Sequence, residues 1–382
     1  MRIAYFNATL RTGQDGVTRV LYRLARAATE RGHQVIGVAT ALPDDPAERP
    51  FPMVSVSSVP MPLHRAYRIA LPGTATFTAA LQRFAPDIIH LNSPCTLGFA
   101  AARWGREHGV PVVATYHTHF PAYPRYYNLR PVEELTWRLM RRIYNSISRT
   151  FVPSKAVMEE LREHGVENTE YLSNGIDLDQ FRPHFRSEGW REEQGIGNRP
   201  AILFVSRLVW EKDLRVLAEA YRLLRERWGE TFAMVVVGDG HARAELETMM
   251  PGARFLGHLR GEELARVYAS CDLFAFPSTT ETFGLVTVEA MASGLVPVAA
   301  AQGGALDIVQ HQQSGLLVPP LDAGAMADAL GTLLHNADAR AAMAERAVRR
   351  AEAFGWDSIL DRLFTAYDEV IATAAPTSRR AA

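Results

Sequence analysis

Glu281 and Glu289 stand eight residues apart in PSTTETFGLVTVEAMASG, residues 277–294. A helix predicted to start near Phe283-Gly284-Leu285 puts Glu281 just before its first turn and Glu289 in its second. Eight residues of helix span about 12 Å, so the two cannot work as a close acid–base pair and each must have its own task. The helix start adds free backbone N–H groups and a positive dipole end, which together make an anion site. Gly284 lets a phosphate come close to the backbone. A carboxylate at the mouth, an anion-binding turn and a second carboxylate further in would suit a sugar, a diphosphate and a ribose. The same spacing also fits a surface glutamate followed by a helix-facing one, with no ligand at all.

Arg207 and Lys212, in SRLVWEKD, give a second signal. Arg207 leaves an apolar strand and Lys212 follows in the turn to a helix. Two cations at a strand's carboxyl end can neutralise a departing diphosphate, and the forked guanidinium suits bidentate binding. A plain surface pattern of Arg–Glu and Lys–Asp pairs is the other reading. Asp15-Gly16-Val17 opens the first helix directly after the first strand, again an anion-binding geometry. His117-Thr118-His119 follows the strand at 111–116, but a third metal ligand is missing and no metal is expected. Two strings are set aside. Asp177-Leu178-Asp179 lies in a linker rather than after a strand, and Val237-Gly238-Asp239-Gly240 lacks the third glycine of a dinucleotide fingerprint, with Arg243 in its place.

The elements that must position these residues alternate. In the first half, strands are predicted at 3–6, 34–39, 54–59, 87–91 and 111–116, with helices between them. In the second half they fall at 201–206, 233–237, 254–256, 273–277, 296–300 and 316–318, with helices at 213–228, 241–250, 261–270, 284–293, 304–311 and 322–335. Parallel strands need long return connections, so this order implies two α/β doubly wound parallel-sheet domains. Ligands in such sheets sit beyond the carboxyl ends of the strands, which makes a cleft between the halves the expected site. The polar, Gly- and Arg-rich stretch 172–200 reads as a linker. A last helix at 357–372 carries Ile359, Leu360, Leu363, Tyr367, Val370 and Ile371 on one stripe. Periodicity allows it to pack on the first half or on its own domain.

With 382 residues and 47% apolar content, two globular domains are expected. A net charge of −1 gives no global pull toward nucleic acid. Cys95 and Cys271 are the only cysteines, which excludes a disulfide framework or a cysteine zinc site and fits a reducing, cytoplasmic setting. No signal peptide and no membrane-spanning run are expected.

Taken together, DGVTRVLYRLA (15–25), HTHFPAYPRYY (117–127), VPSKAVMEEL (152–161), NGIDLDQFRP (174–183), VSRLVWEKD (205–213), VVGDGHARAEL (236–246) and the 277–294 segment resemble the retaining glycosyltransferase family 4. The resemblance implies the GT-B fold, two Rossmann-like domains facing across a cleft. Residues 1–180 would bind the acceptor, residues 190–355 would bind a nucleotide diphosphate sugar, and the helix at 357–375 would return to the first domain. It implies that Arg207 and Lys212 hold the diphosphate without a metal or other cofactor. Glu281 would meet the sugar hydroxyls, with Thr282, Phe283, Gly284 and Leu285 beside sugar and phosphate, and Glu289 would bind the ribose. Gly16 and Val17 would sit under the phosphates, His117 would line the reaction centre, and Leu256 and His258 would face the base. Transfer would retain the α configuration by same-face attack, the leaving phosphate taking the acceptor proton.

The texture is most similar to sulfoquinovosyl-diacylglycerol synthases and GDP-mannose-dependent α-mannosyltransferases, which implies a lipid or glycan acceptor. One departure is Asp15, where many relatives carry a glycine. At 123–149, Tyr123, Tyr126, Tyr127 and Trp137 interleave with six arginines. A helix there, with Val132, Leu135, Leu139, Met140 and Ile143 on one face, would lie on the inner face of an anionic membrane. A core-packed helix with a solvated basic face is the alternative. Two other functions share the architecture: a sugar-nucleotide epimerase and a non-catalytic sugar-nucleotide binder.

Overall fold

A computed structural model of the chain describes residues 1–11, 16–60, 68–71, 75–93, 95–117 and 130–374. These form two units. One holds the described residues up to Ser173 and those from Ile359 onward; the other is Asn174–Ser358. The crossing at 173/174 falls a few residues before the predicted end of the first domain at 180.

The first unit runs β1 (Arg2–Phe6), α1 (Gly16–Glu30), β2 (Gln34–Ala39), β3 (Met53–Ser55), β4 (Ser58–Pro60), β5 (Arg68–Ala70), α2 (Ala75–Phe84), β6 (Ile88–Leu91), α3 (Thr96–His108), β7 (Val112–Thr115), α4 (Arg130–Tyr144), β8 (Arg149–Val152), α5 (Lys155–Glu163) and β9 (Thr169–Tyr171). Among the described residues its sheet has seven strands in the order β3-β2-β1-β6-β7-β8-β9, and every neighbour is parallel. Ile3–Phe6, Ile88–Leu91 and Val112–Thr115 are buried, as expected of parallel strands covered on both faces.

The second unit contributes α6 (Glu188–Glu193), β10 (Ala201–Val205), α7 (Leu214–Trp228), β11 (Ala233–Val237), α8 (Arg243–Met249), β12 (Arg254–Phe255), α9 (Gly261–Ala269), β13 (Leu273–Phe276), α10 (Leu285–Ala292), β14 (Val296–Ala300), α11 (Ala305–Ile308), β15 (Leu316–Val318), α12 (Ala323–His335) and α13 (Ala337–Glu352). Its parallel sheet is ordered β12-β11-β10-β13-β14-β15. Strand order therefore reverses between β10 and β13, and in the first sheet between β1 and β6. Those are the two points where the ends of adjacent strands leave room for a ligand.

Four expectations change. The strand predicted at 54–59 is two elements: β3 joins the main sheet beside β2, whereas β4 pairs antiparallel with β5. The linker is largely built into the second unit. Its Arg191 is buried and donates to the carbonyls of Gly197, Arg199 and Ser270 while meeting Asp272; high polarity here marks a buried guanidinium clamp rather than a loose tether. Among the described side chains of α4, Trp137, Met140, Ile143 and Tyr144 are buried, whereas Leu135 and Leu139 are 64% and 50% exposed; the side chain of Val132 lies outside those described. The core face thus follows the 137–140–144 repeat and leaves the two leucines outside. Arg149, grouped with that helix, belongs to β8 and meets Glu170 and Glu369. Tyr123, Arg125, Tyr126 and Tyr127 lie outside the described residues.

The last helix, α14 (Trp356–Ala374), packs on the first unit. Ile359, Leu360, Leu363, Phe364, Tyr367 and Val370 are buried. Asp361 pairs with Arg31 and Glu369 with Arg149, and the Tyr367 hydroxyl meets His90 Nδ1. Among the described residues no helix is long and apolar enough to cross a membrane.

Candidate active site

The second unit gathers its chemistry beyond β10 and β13, at the reversal of strand order. The chain leaves β10 through Ser206-Arg207-Leu208, which is zipped to the end of β11: Ser206 N donates to Val237 O and Leu208 N to Asp239 O. A side chain at Gly238 would place its Cβ 1.8 Å from Ser206 O. The glycine set aside as part of a failed dinucleotide fingerprint thus lets two strand ends lie flush, and Arg207 emerges exposed between them.

A short 3-10 turn, Trp210–Lys212, then delivers Lys212, which is only 9% exposed. Its Nζ lies 2.6 Å from Oε2 of Glu281 in the segment after β13. The two segments are fastened together independently of that ion pair. Asp213, buried and left-handed at φ 55°, accepts from both the N–H and the hydroxyl of Thr279 at 2.8 Å. The Thr280 hydroxyl donates to Glu211 O at 2.8 Å.

Beyond Glu281 the chain is held from below. Thr282 and Phe283 are buried, and the Phe283 ring packs edge-on to Phe354. Gly304 N donates to Glu281 O, and a Cβ on Gly304 would fall 1.9 Å from Phe283 O. Gly284, at φ 96°, starts α10 without a side-chain capping bond, so no side chain at the cap takes any of the helix's first N–H groups. Leu285 is half-buried. Glu289, one turn further, is 3% exposed and accepts from the Tyr268 hydroxyl at 3.0 Å. Leu256 is half-buried and His258 exposed, the latter accepting from Arg260 Nε at 2.8 Å; both follow β12 on the same side of the sheet.

In the first unit, Gly16 is the exposed first residue of α1 and Val17 is half-buried, while Asp15 lies outside the described residues. His117 follows β7, half-buried, with Nε2 3.2 Å from Oδ1 of Asn92. Burial pulls its pKa down to about 4, so the imidazole is neutral near pH 7. Asn92 follows β6, is 2% exposed, and donates its backbone N–H to Phe6 O. Among the described residues its Nδ2 has no hydrogen-bond partner. Thr118 and His119 lie outside the described residues.

Each sheet thus brings sequence-singled residues to its carboxyl edge: Arg207, Lys212, Glu281, Gly284 and Glu289 in one, Gly16 and His117 in the other. Asn92, Asp213, Tyr268 and Gly304 were not singled out. Asn92 follows an apolar strand in IIHLNS, a readable cue. Asp213 and Gly304 act through loops that come together only in the fold.

Comparison with known proteins gives the family and the fold. The Glycosyltransferase Family 4 model matches residues 14–180 and the Glycosyl transferases group 1 model residues 186–350. The GDP-mannose-dependent alpha-mannosyltransferase of Corynebacterium glutamicum is 32% identical over 97% of this chain and 90% of its own. The chain belongs to glycosyltransferase family 4. Within the family it is also similar to the Arabidopsis thaliana sulfoquinovosyl transferase SQD2, 33% identical over 80% of this chain and 61% of that one. This family 4 member shares the GT-B fold with Anabaena Alr3699/HepE, solved in complex with UDP and glucose, at a TM-score of 0.78 and 22% identity over 96% of this chain and 99% of that one.

Proposed function

We propose that this glycosyltransferase moves a hexose, from GDP-mannose or a UDP-hexose, to a lipid hydroxyl such as that of diacylglycerol or a glycolipid, with retention and without a metal. The observation that carries the reading is Lys212 and Glu281 held together in the segments that follow β10 and β13, at the reversal point of the second sheet, with Arg207 exposed at the start of the same β10 segment. Arg207 and Lys212 neutralise the diphosphate as it leaves, Glu281 receives hydroxyls of the donor sugar, and Glu289 receives those of the ribose. The first N–H groups of α10 face the phosphate, and Leu256 and His258 face the base. The sugar–phosphate C–O bond breaks while the acceptor oxygen approaches on the same face. The departing phosphate oxygen takes the acceptor proton, so no side-chain base is required. The protein contributes position and charge stabilisation of an oxocarbenium-like state. The first unit, with neutral His117, receives the acceptor.

Support for the donor and acceptor classes comes from relatives whose names specify GDP-mannose, sulfoquinovosyl transfer and monoglucosyldiacylglycerol synthesis. The exposed Leu135 and Leu139, beside exposed Arg138, Arg141 and Arg142, support a peripheral contact with anionic lipid at the inner face of the membrane.

The test is turnover of GDP-mannose, UDP-glucose and UDP-sulfoquinovose with diacylglycerol and glycolipid acceptors in anionic vesicles, with and without chelator. An α-linked product formed in chelator, and lost in Lys212→Ala, is expected. A β-linked product, or full turnover by Lys212→Ala, overturns the mechanism.

A further inference from the structure

The 2.6 Å pair between Lys212 and Glu281 joins the two groups that the proposed function gives to different parts of the donor, phosphate and sugar. We propose that Glu281 competes with the diphosphate for Lys212, so that the site selects the intact nucleotide sugar over the free nucleoside diphosphate. The inference rests on the proposed use of Lys212 for phosphate.

The backbone on both sides of the pair is fastened. Asp213 holds Thr279 by two hydrogen bonds, Thr280 holds Glu211 by one, and Gly304 N holds the carbonyl of Glu281 itself. Neither segment can withdraw, so the ammonium and carboxylate stay within reach of one another whatever binds. A free nucleoside diphosphate brings a terminal phosphate that must share Lys212 with Glu281. Its added negative charge faces a carboxylate in a partly buried place, where screening is weak. An intact donor has a sugar at that position. Its hydroxyls donate to Glu281, replacing what the carboxylate loses when Lys212 turns to the phosphates. The same carboxylate therefore penalises the spent nucleotide and favours the loaded one, which helps product leave after transfer.

Binding of GDP and UDP, and of GDP-mannose and UDP-glucose, to the full chain by calorimetry tests this. Loss of a charge-assisted hydrogen bond is the scale of effect involved. Glu281→Gln, which keeps the shape and removes the charge, is expected to bind the nucleoside diphosphate about tenfold tighter, a change of about 1.4 kcal/mol. The same variant should bind the nucleotide sugar more weakly. Glu281→Ala should also tighten the diphosphate, which guards against an effect peculiar to the amide, and the unfolding midpoint confirms that each variant is folded. A collapsed segment would weaken both ligands together. Diphosphate affinity equal to or below wild type in both folded variants overturns the inference while leaving the proposed function in place. Failure of the wild-type chain to bind any of the four ligands overturns both.

Discussion

The hydroxyl of Tyr268, on α9, donates to Oε2 of Glu289, on α10, at 3.0 Å, with both side chains buried. A buried carboxylate needs such donors to stay in place. Tyr268→Phe removes one oxygen and nothing else. It is expected to cost about 1–3 kcal/mol of stability, the range for a buried polar group losing its partner. If Glu289 holds the ribose, KM for the nucleotide sugar should rise about five- to tenfold with kcat little changed. Denaturant unfolding and initial rates measure the two effects separately.

Stability should fall as pH falls below neutrality. Burial, with the charge of His117 added, pulls His90 down to about 3, and burial alone pulls His117 down to about 4. Between those values and about 6.5, the unfolded chain binds protons that the native state refuses, so stability rises with pH across that window. The contribution is complete above about 6.5 and is lost progressively toward pH 4. For His90 the slope approaches about 1.4 kcal/mol per pH unit. Urea unfolding at pH 7, 6 and 5 gives the slope, and a flat profile contradicts the burial of these rings. His117→Asn should flatten it in part.

Gly304→Ala should damage the site more than the fold. The backbone at Gly304 (φ −62°, ψ −23°) suits alanine, but a Cβ there would lie 1.9 Å from Phe283 O. The 281–284 segment must shift to admit it. Overpacking of this kind costs about 1–3 kcal/mol, whereas a displacement of about 1 Å at a reacting group lowers kcat/KM about a hundredfold. Equal rates in the variant would show that the position of this segment does not matter to turnover.

Ending the chain at Gly355 should abolish a stable first unit. Six large side chains of α14 (Ile359, Leu360, Leu363, Phe364, Tyr367 and Val370) are buried there, each contributing about 1.5–3 kcal/mol. Their sum, on the order of 10 kcal/mol, rivals the whole stability of an ordinary domain. The truncated protein is expected in the insoluble fraction, and a soluble product with a wild-type unfolding midpoint would contradict this.

Legibility in the sequence tracked how local each signal was. The strands Gln34–Ala39, Ala233–Val237, Val296–Ala300 and Leu316–Val318 appear with the predicted bounds, because short apolar runs between turns have few other solutions. Lys212 and Glu281 were legible as chemistry but not as a pair, since sixty-nine residues separate them and only the β10–β13 neighbourhood brings them together. Asp213, Tyr268 and Gly304 were not legible. A left-handed aspartate, a buried hydroxyl and a glycine without unusual torsions look ordinary until the neighbouring loop is in place. The single apolar face read for α4 divides in the structure, with Met140 and Ile143 in the core beside Trp137 and with Leu135 and Leu139 exposed.

The helix that closes the first sheet is synthesised only after the whole of the second unit. While the ribosome makes residues 174–358, the second unit acquires every strand it needs, but His90 still awaits Tyr367 and Arg31 still awaits Asp361. The first unit, begun before the second, is therefore completed after it. During that interval its apolar seam is open to chaperones and to other nascent chains, and it is there that errors of assembly should concentrate.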